Sequence, residues 1–152
     1  MNIKFATVAD IKLLQSLNNE VFMDNSKYDS DLKTDWAQSS AGYEYFNTLV
    51  TDKDSICLIA THQEQGIGYL VASAKPIPYR LSKYLEIENM GVVPEYRSQG
   101  IGKKLINQCL NIAKSRGYQK VYVNAYFQNK GAISFYKNNG FAEIDLSLEK
   151  TL

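Results

Sequence analysis

The stretch VVPEYRSQGIGKKL, residues 92–105, decides how this chain is read. It sets Pro94, Arg97, Gly100 and Gly102 between a β-type run, YLEIENMGV, and an apolar stripe at helical spacing, Ile101, Leu105, Ile106, Cys109, Leu110 and Ala113. A helix N-terminus exposes unpaired N–H groups and the positive end of its dipole, so this turn suits an anion, a phosphate above all. Gly100 and Gly102 let the backbone approach such a ligand without a Cβ in the way. Two common glycine motifs do not fit. A P-loop needs GxxxxGK[ST], and GIGKKL lacks its first glycine and its hydroxyl; the dinucleotide fingerprint GxGxxG lacks its third glycine because position 105 is Leu.

On the N-terminal side, IKFATVADIK predicts a strand, an N-cap at Thr7 with Asp10 three residues on, and a helix from about residue 8 to 23. The polar, acidic MDNSKYDSDLKTDW is a loop, and YEYFNTLV a second helix with Tyr43, Phe46, Leu49 and Val50 on one face. SICLIATH and GIGYLVASA, separated by QEQ and a glycine, predict a hairpin, and Pro76 and Pro78 interrupt the sheet before YLEIENMGV resumes it. On the C-terminal side Lys114, Arg116 and Gly117 close the third helix. KVYVNAYF is a strand, KGAISFYKNNG a short helix stopped by Gly140, and FAEIDLSLEKTL a final strand. The order β-α-α-β-β-β-α-β-α-β is an α/β pattern, α+β in some schemes, filling one domain over residues 1–152.

Composition narrows the function classes. No run approaches the ~18 apolar residues of a bilayer span, and the N-terminus has no apolar signal core, so the expectation is a cytoplasmic protein with no membrane partner. Cys57 and Cys109 lie in apolar segments, away from His62, which argues for packing and against a disulfide or a metal site. Net charge is +1, yet residues 91–140 carry eight basic side chains against the single acid Glu95. That segment attracts an anion, although a solvated basic helix surface reads the same way. Nucleic acid is not expected as a partner, since no recognised binding motif is present.

What does fit the turn is Arg-x-x-Gly-x-Gly, Arg97 to Gly102, after Val92-Val93-Pro94. It resembles the acetyl-CoA motif of the GNAT superfamily of N-acetyltransferases. AYFQNKGAISFYKNNGF resembles that family's second motif, with Asn129, Ala132, Phe135, Tyr136, Gly140 and Phe141 in place. The resemblance covers roughly residues 1–141 and implies a mixed, mostly antiparallel central sheet flanked by helices. It implies acetyl-CoA as co-substrate, no metal, and a primary amine on a small molecule or peptide as acceptor.

The resemblance also assigns roles. The amides of Arg97, Ser98, Gln99, Gly100, Ile101, Gly102 and Lys103 would grip the CoA pyrophosphate. The preceding strand would bulge, with Asn89-Met90-Gly91 the expected site, and splay so that Met90, Gly91, Val92 and Val93 meet the pantetheine arm and thioester. Asn129, with Ala132 and Phe135, would contact CoA, although Asn before a helix is also an ordinary N-cap. Tyr136 would donate a proton to the departing thiolate; among eleven tyrosines a merely structural one is the plain alternative. Glu86 and Glu88 alternate on one strand face, and either is a candidate base for the attacking amine, directly or through water. Neither cysteine has a base nearby in sequence, so direct transfer in a ternary complex is preferred over an acyl-enzyme.

Glu20, Asp24, Asp29, Asp31 and Asp35 make the first inter-helix loop acidic, which favours a cationic amine: a polyamine, an aminosugar antibiotic or a basic peptide end. Tyr28, Trp36, Tyr43 and Tyr45 line that pocket or the core. The family usually ends in two strands and this chain in one, so a homodimer completing the sheet edge is expected. The alternative from another class is a non-catalytic acyl-CoA-binding or sensing module.

Overall fold

The structure, a computed structural model, describes residues 1–152. Five strands form one sheet: β1 (Asn2–Phe5), β2 (Ile56–His62), β3 (Gln65–Ala74), β4 (Tyr84–Val92) and β5 (Lys120–Val123), adjacent in chain order. The first four pair antiparallel. β5 pairs parallel to β4 because the chain crosses over through a helix between them. The helices are α1 (Ile11–Asn25), α2 (Ser40–Thr51), α3 (Ile101–Ser115) and α4 (Lys130–Asn138).

The run ICLIA is apolar throughout because β2 is covered on both faces. Ile56, Leu58 and Ala60 meet Leu105, Ile106 and Cys109 of α3 on one side; Cys57 and Ile59 meet Ile11 and Leu14 of α1 and Phe46 of α2 on the other. Each fully buried Leu, Ile or Phe contributes about 1.5–3 kcal/mol.

Local chemistry sets the element ends. A 3-10 turn over Val8–Asp10 precedes α1, and Asp10 Oδ2 accepts from the Thr7 N–H at 2.9 Å and its hydroxyl at 3.0 Å. The Ser39 hydroxyl accepts from the Gly42 N–H to cap α2. The β2–β3 hairpin is tighter than QEQ plus glycine suggests: Gln63 and Glu64, at φ 49° and 66°, make a two-residue turn, and Gln65 and Gly66 already belong to β3.

Two features of β4 shape the site. Ala72 pairs with Ile87 and Val71 with Asn89, so Glu88 is the extra residue of a β-bulge. The bulge therefore sits just ahead of the expected Asn89–Gly91. Gly91 serves another purpose, since a Cβ there would stand 2.5 Å from Val21 Cγ2 on α1. Pairing with β5 stops at Ile87 with Val123, while β4 continues to Val92, which opens a wedge between the two strands.

The expected final strand is not formed. Residues 142–152 make no backbone hydrogen bond, and Ile144, Leu146 and Leu148 are exposed despite their strand-like alternation. A strand is stable only against a partner ladder, and no strand runs beside this segment on the free edge of β5.

Candidate active site

The turn after β4 is built around unused donors. None of the amides of residues 98–103 donates a hydrogen bond within the protein, so consecutive N–H groups stand free at the start of α3. Ser98 and Gly100 hold φ at 62° and 78°, which curls these amides into a concave nest for an anion. A Cβ at Gly100 would meet nothing within 4 Å, so glycine serves the backbone angle there. At Gly102 a Cβ would lie 3.0 Å from the Phe135 ring, so its smallness also admits a packing partner. Arg97 is committed within the protein, with Nε donating to the Val92 carbonyl at 2.8 Å and the guanidinium paired with Asp24 at 2.5 Å.

The wedge opens beside this nest. Val93 N–H donates to Ile67 of β3; by strand alternation the N–H groups of Val92 and Met90 turn away from β3, toward the wedge. Met90, Phe135 and Tyr136 pack on the α3-side core, with Met90 and Phe135 both against Gly102. Tyr136 is partly buried between Phe135 and Phe141, and burial pushes its phenol up to about 12, so it keeps its proton at neutral pH. Asn129 caps α4, its Oδ1 accepting from the Ala132 N–H at 3.0 Å. Its side-chain oxygen therefore does the work of the ordinary N-cap.

On the opposite face of the sheet the bulge brings Glu88 to a cleft of about 460 Å³ shared with Tyr45, Ser73, Glu44 and Asp52. Tyr45 donates to one carboxylate oxygen of Glu88 at 2.6 Å, and the Ser73 hydroxyl donates to the other. Burial, with the Glu88 carboxylate beside it, pushes the Tyr45 phenol far above its ordinary value, so it remains a donor. Glu86 is occupied differently: it pairs with Lys75 at 2.9 Å, and that ammonium also lies 4.5 Å from the Tyr122 ring centre. Cys57 and Cys109 are buried, and burial pushes both thiols up to about 12. Neither is a nucleophile at neutral pH.

The acidic loop partly folds onto these elements. Glu20 and Asp24, expected in that loop, belong to the end of α1, where Asp24 meets Arg97; within the loop Asp29 accepts from the Tyr126 hydroxyl at 2.7 Å while Tyr28 stacks on Tyr126. Of the expected aromatic residues, Trp36 contacts Phe22 and Tyr45. Sequence reasoning passed over Ser73, Tyr69, Asn18 and the side chain of Asn89. A polar Ser ending the apolar run IGYLVA, on the same face as Tyr69 and Val71, was the available signal for Ser73.

Comparison with known proteins bears on the fold and the family. The acetyltransferase (GNAT) family matches residues 16–141. An uncharacterized N-acetyltransferase of Methanocaldococcus jannaschii is 47% identical over 100 residues, 65% of this chain but 44% of that relative's length. N-alpha-acetyltransferase 50 of Danio rerio is 28% identical over 142 residues, 91% of this chain and 73% of that protein. The crystal structure of an aminoglycoside antibiotic 6'-N-acetyltransferase from Acinetobacter haemolyticus shares the fold, with a TM-score of 0.78 at 24% identity over 100% of this chain and 98% of that one. The chain belongs to the GNAT acetyltransferase family. The co-substrate of that family, acetyl-CoA, fits what is present: an anion nest of free amides for a pyrophosphate, and an open wedge with inward N–H groups for an extended amide arm.

Proposed function

We propose that this chain transfers the acetyl group of acetyl-CoA to a primary amine on a small cationic acceptor, by direct attack in a ternary complex. The observation that carries the reading is the run of unpartnered amides, residues 98–103, at the mouth of the β4–β5 wedge. Bound acetyl-CoA supplies an activated thioester. The chain's residues hold and polarise it: the nest takes the pyrophosphate, and the Val92 N–H points where charge develops on the thioester oxygen. Tyr136, protonated throughout the neutral range, donates to the departing sulfur. Glu88 takes the proton of the attacking amine, because Glu86 is committed to Lys75 while Glu88 lines the cleft. The carboxylates of Glu44, Asp52 and Glu88 around that cleft favour a cationic acceptor. The relatives act on different amines by name, an α-amine and an aminoglycoside, and both fit a cationic acceptor.

Action in the cytoplasm and pairing of two copies belong to the same proposal. The free edge of β5 and the exposed Ile144, Leu146 and Leu148 support the second. The test is CoA thiol release from acetyl-CoA across polyamines, aminoglycosides, amino acids and basic peptides, beside Tyr136→Phe and Glu88→Gln. Release that requires an amine and falls about 100-fold in either variant is expected. Acetyl-CoA binding with no release for any amine would overturn the enzyme and leave an acyl-CoA-binding or sensing module.

A further inference from the structure

A chain of three polar side chains crosses the otherwise apolar contact between α1 and the sheet. Asn18 Nδ2 donates to the Tyr69 hydroxyl at 2.8 Å, and that hydroxyl donates to Asn89 Oδ1 at 2.5 Å. Asn18 and Tyr69 are fully buried, Tyr69 within the cluster that includes Phe46, Ile59 and Val71. Hydrogen bonds offset the desolvation of buried hydroxyl and amide groups with only a small net gain, so stability alone gives little reason for a polar chain in an apolar contact. The chain does not even satisfy itself, because Asn18 Oδ1 has no partner within the protein.

What the chain achieves is an orientation. A hydroxyl has one proton; with Asn18 donating to its oxygen, Tyr69 must donate onward, and only the carbonyl end of the Asn89 amide can accept. Burial keeps the Tyr69 phenol protonated, so this direction is fixed. The NH2 end of Asn89 is therefore turned outward, and it makes no hydrogen bond within the protein. Asn89 is partly buried and follows the bulged Glu88, on the same face of β4 as that carboxylate. Beyond it α1 covers the strand at Gly91. The outward amide thus lies beside the candidate base, on the acceptor side of the sheet.

Resting on the acetyltransfer reading above, we propose that Asn89 donates to an oxygen of the acceptor, with Tyr69 and Asn18 as positioning residues, so that preferred acceptors carry a carbonyl or hydroxyl oxygen close to the acetylated amine. A peptide α-amine and an amino sugar meet that requirement. A plain aliphatic polyamine offers no oxygen and is disfavoured.

Steady-state kinetics with kanamycin, a dipeptide amide and spermidine test this on the full chain, with Asn89→Ala, Tyr69→Phe and the double variant. The wild type should prefer kanamycin or the dipeptide amide over spermidine by about tenfold in kcat/KM, the value of one neutral hydrogen bond. Asn89→Ala should raise the KM for that acceptor about tenfold and leave the KM for acetyl-CoA unchanged. Tyr69→Phe should move the same constant, and the double variant should be no worse than Asn89→Ala alone, because Tyr69 acts through Asn89. Should Tyr69→Phe not fold, Asn89→Asp, which replaces donors by acceptors, should give the same rise. Wild-type turnover with spermidine preferred, with unchanged acceptor KM in the variants, or with additive losses that include acetyl-CoA, overturns this inference alone. Wild-type silence with all three probes, despite release with another amine of the panel above, also overturns this inference alone; silence across the whole panel overturns the acetyltransfer reading with it.

Discussion

Gly100 and Gly102 stand two residues apart in one motif and answer to different forces. At Gly100 the left-handed backbone is the only obstacle to a side chain, so Gly100→Ala should cost about 1–2 kcal/mol in urea denaturation. It should also raise the KM for acetyl-CoA as the nest relaxes. At Gly102 the backbone is helical and the obstacle is Phe135, next to Tyr136; overpacking there opposes the helix propensity that alanine brings, so Gly102→Ala should change stability by no more than about 1 kcal/mol and lower kcat more than it raises that KM. Both glycines read alike in the sequence because the partner that distinguishes them lies on another helix. The same blindness hid Tyr69, whose aromatic ring a hydrophobic pattern explains fully and whose hydroxyl it ignores.

At the scale of elements, the start of α1 carries its own pH dependence. Burial pushes Asp10 up, but hydrogen bonds from Lys4 and Thr7 outweigh it and hold the carboxyl below 3.8. A depressed carboxyl stabilises the fold fully above its unfolded value and loses that contribution as pH falls through its folded one. Asp10→Ala should therefore be less stable than the parent by about 1 kcal/mol at pH 7, with the gap closing as pH falls from about 5 to 2 in a thermal-melt series. Thr7 and Asp10 were legible because capping is local chemistry. The bulge at Glu88 was not, because it exists only in the register between β3 and β4. The Gln63–Glu64 turn lacks the glycine that announces such hairpins. Residues 142–152 carry a strand's alternation without the neighbouring strand that would make it one.

The whole molecule is one sheet with an apolar layer on each face, and the two layers meet different helices. Leu14 and Leu105 are fully buried on opposite sides. Leu14→Ala and Leu105→Ala should each cost about 2–5 kcal/mol, and the double variant should equal their sum to within about 0.5 kcal/mol in equilibrium unfolding. The layered architecture followed from periodicity and from the two motifs. The cleft around Glu88 did not, because Tyr45, Ser73 and Glu88 converge from α2, β3 and β4. The co-substrate side is thus written in contiguous residues and the acceptor side in scattered ones.

The unpartnered amides at the head of α3 also have an isotopic signature. A backbone N–H without an acceptor trades its proton with solvent quickly, whatever the stability of the helix behind it. In deuterated buffer the peptide spanning residues 98–103 should label within the earliest time points, while the middle of α3 stays dark. Addition of CoA should slow that labelling selectively, which makes the loop a built-in reporter of occupancy before any acceptor is known.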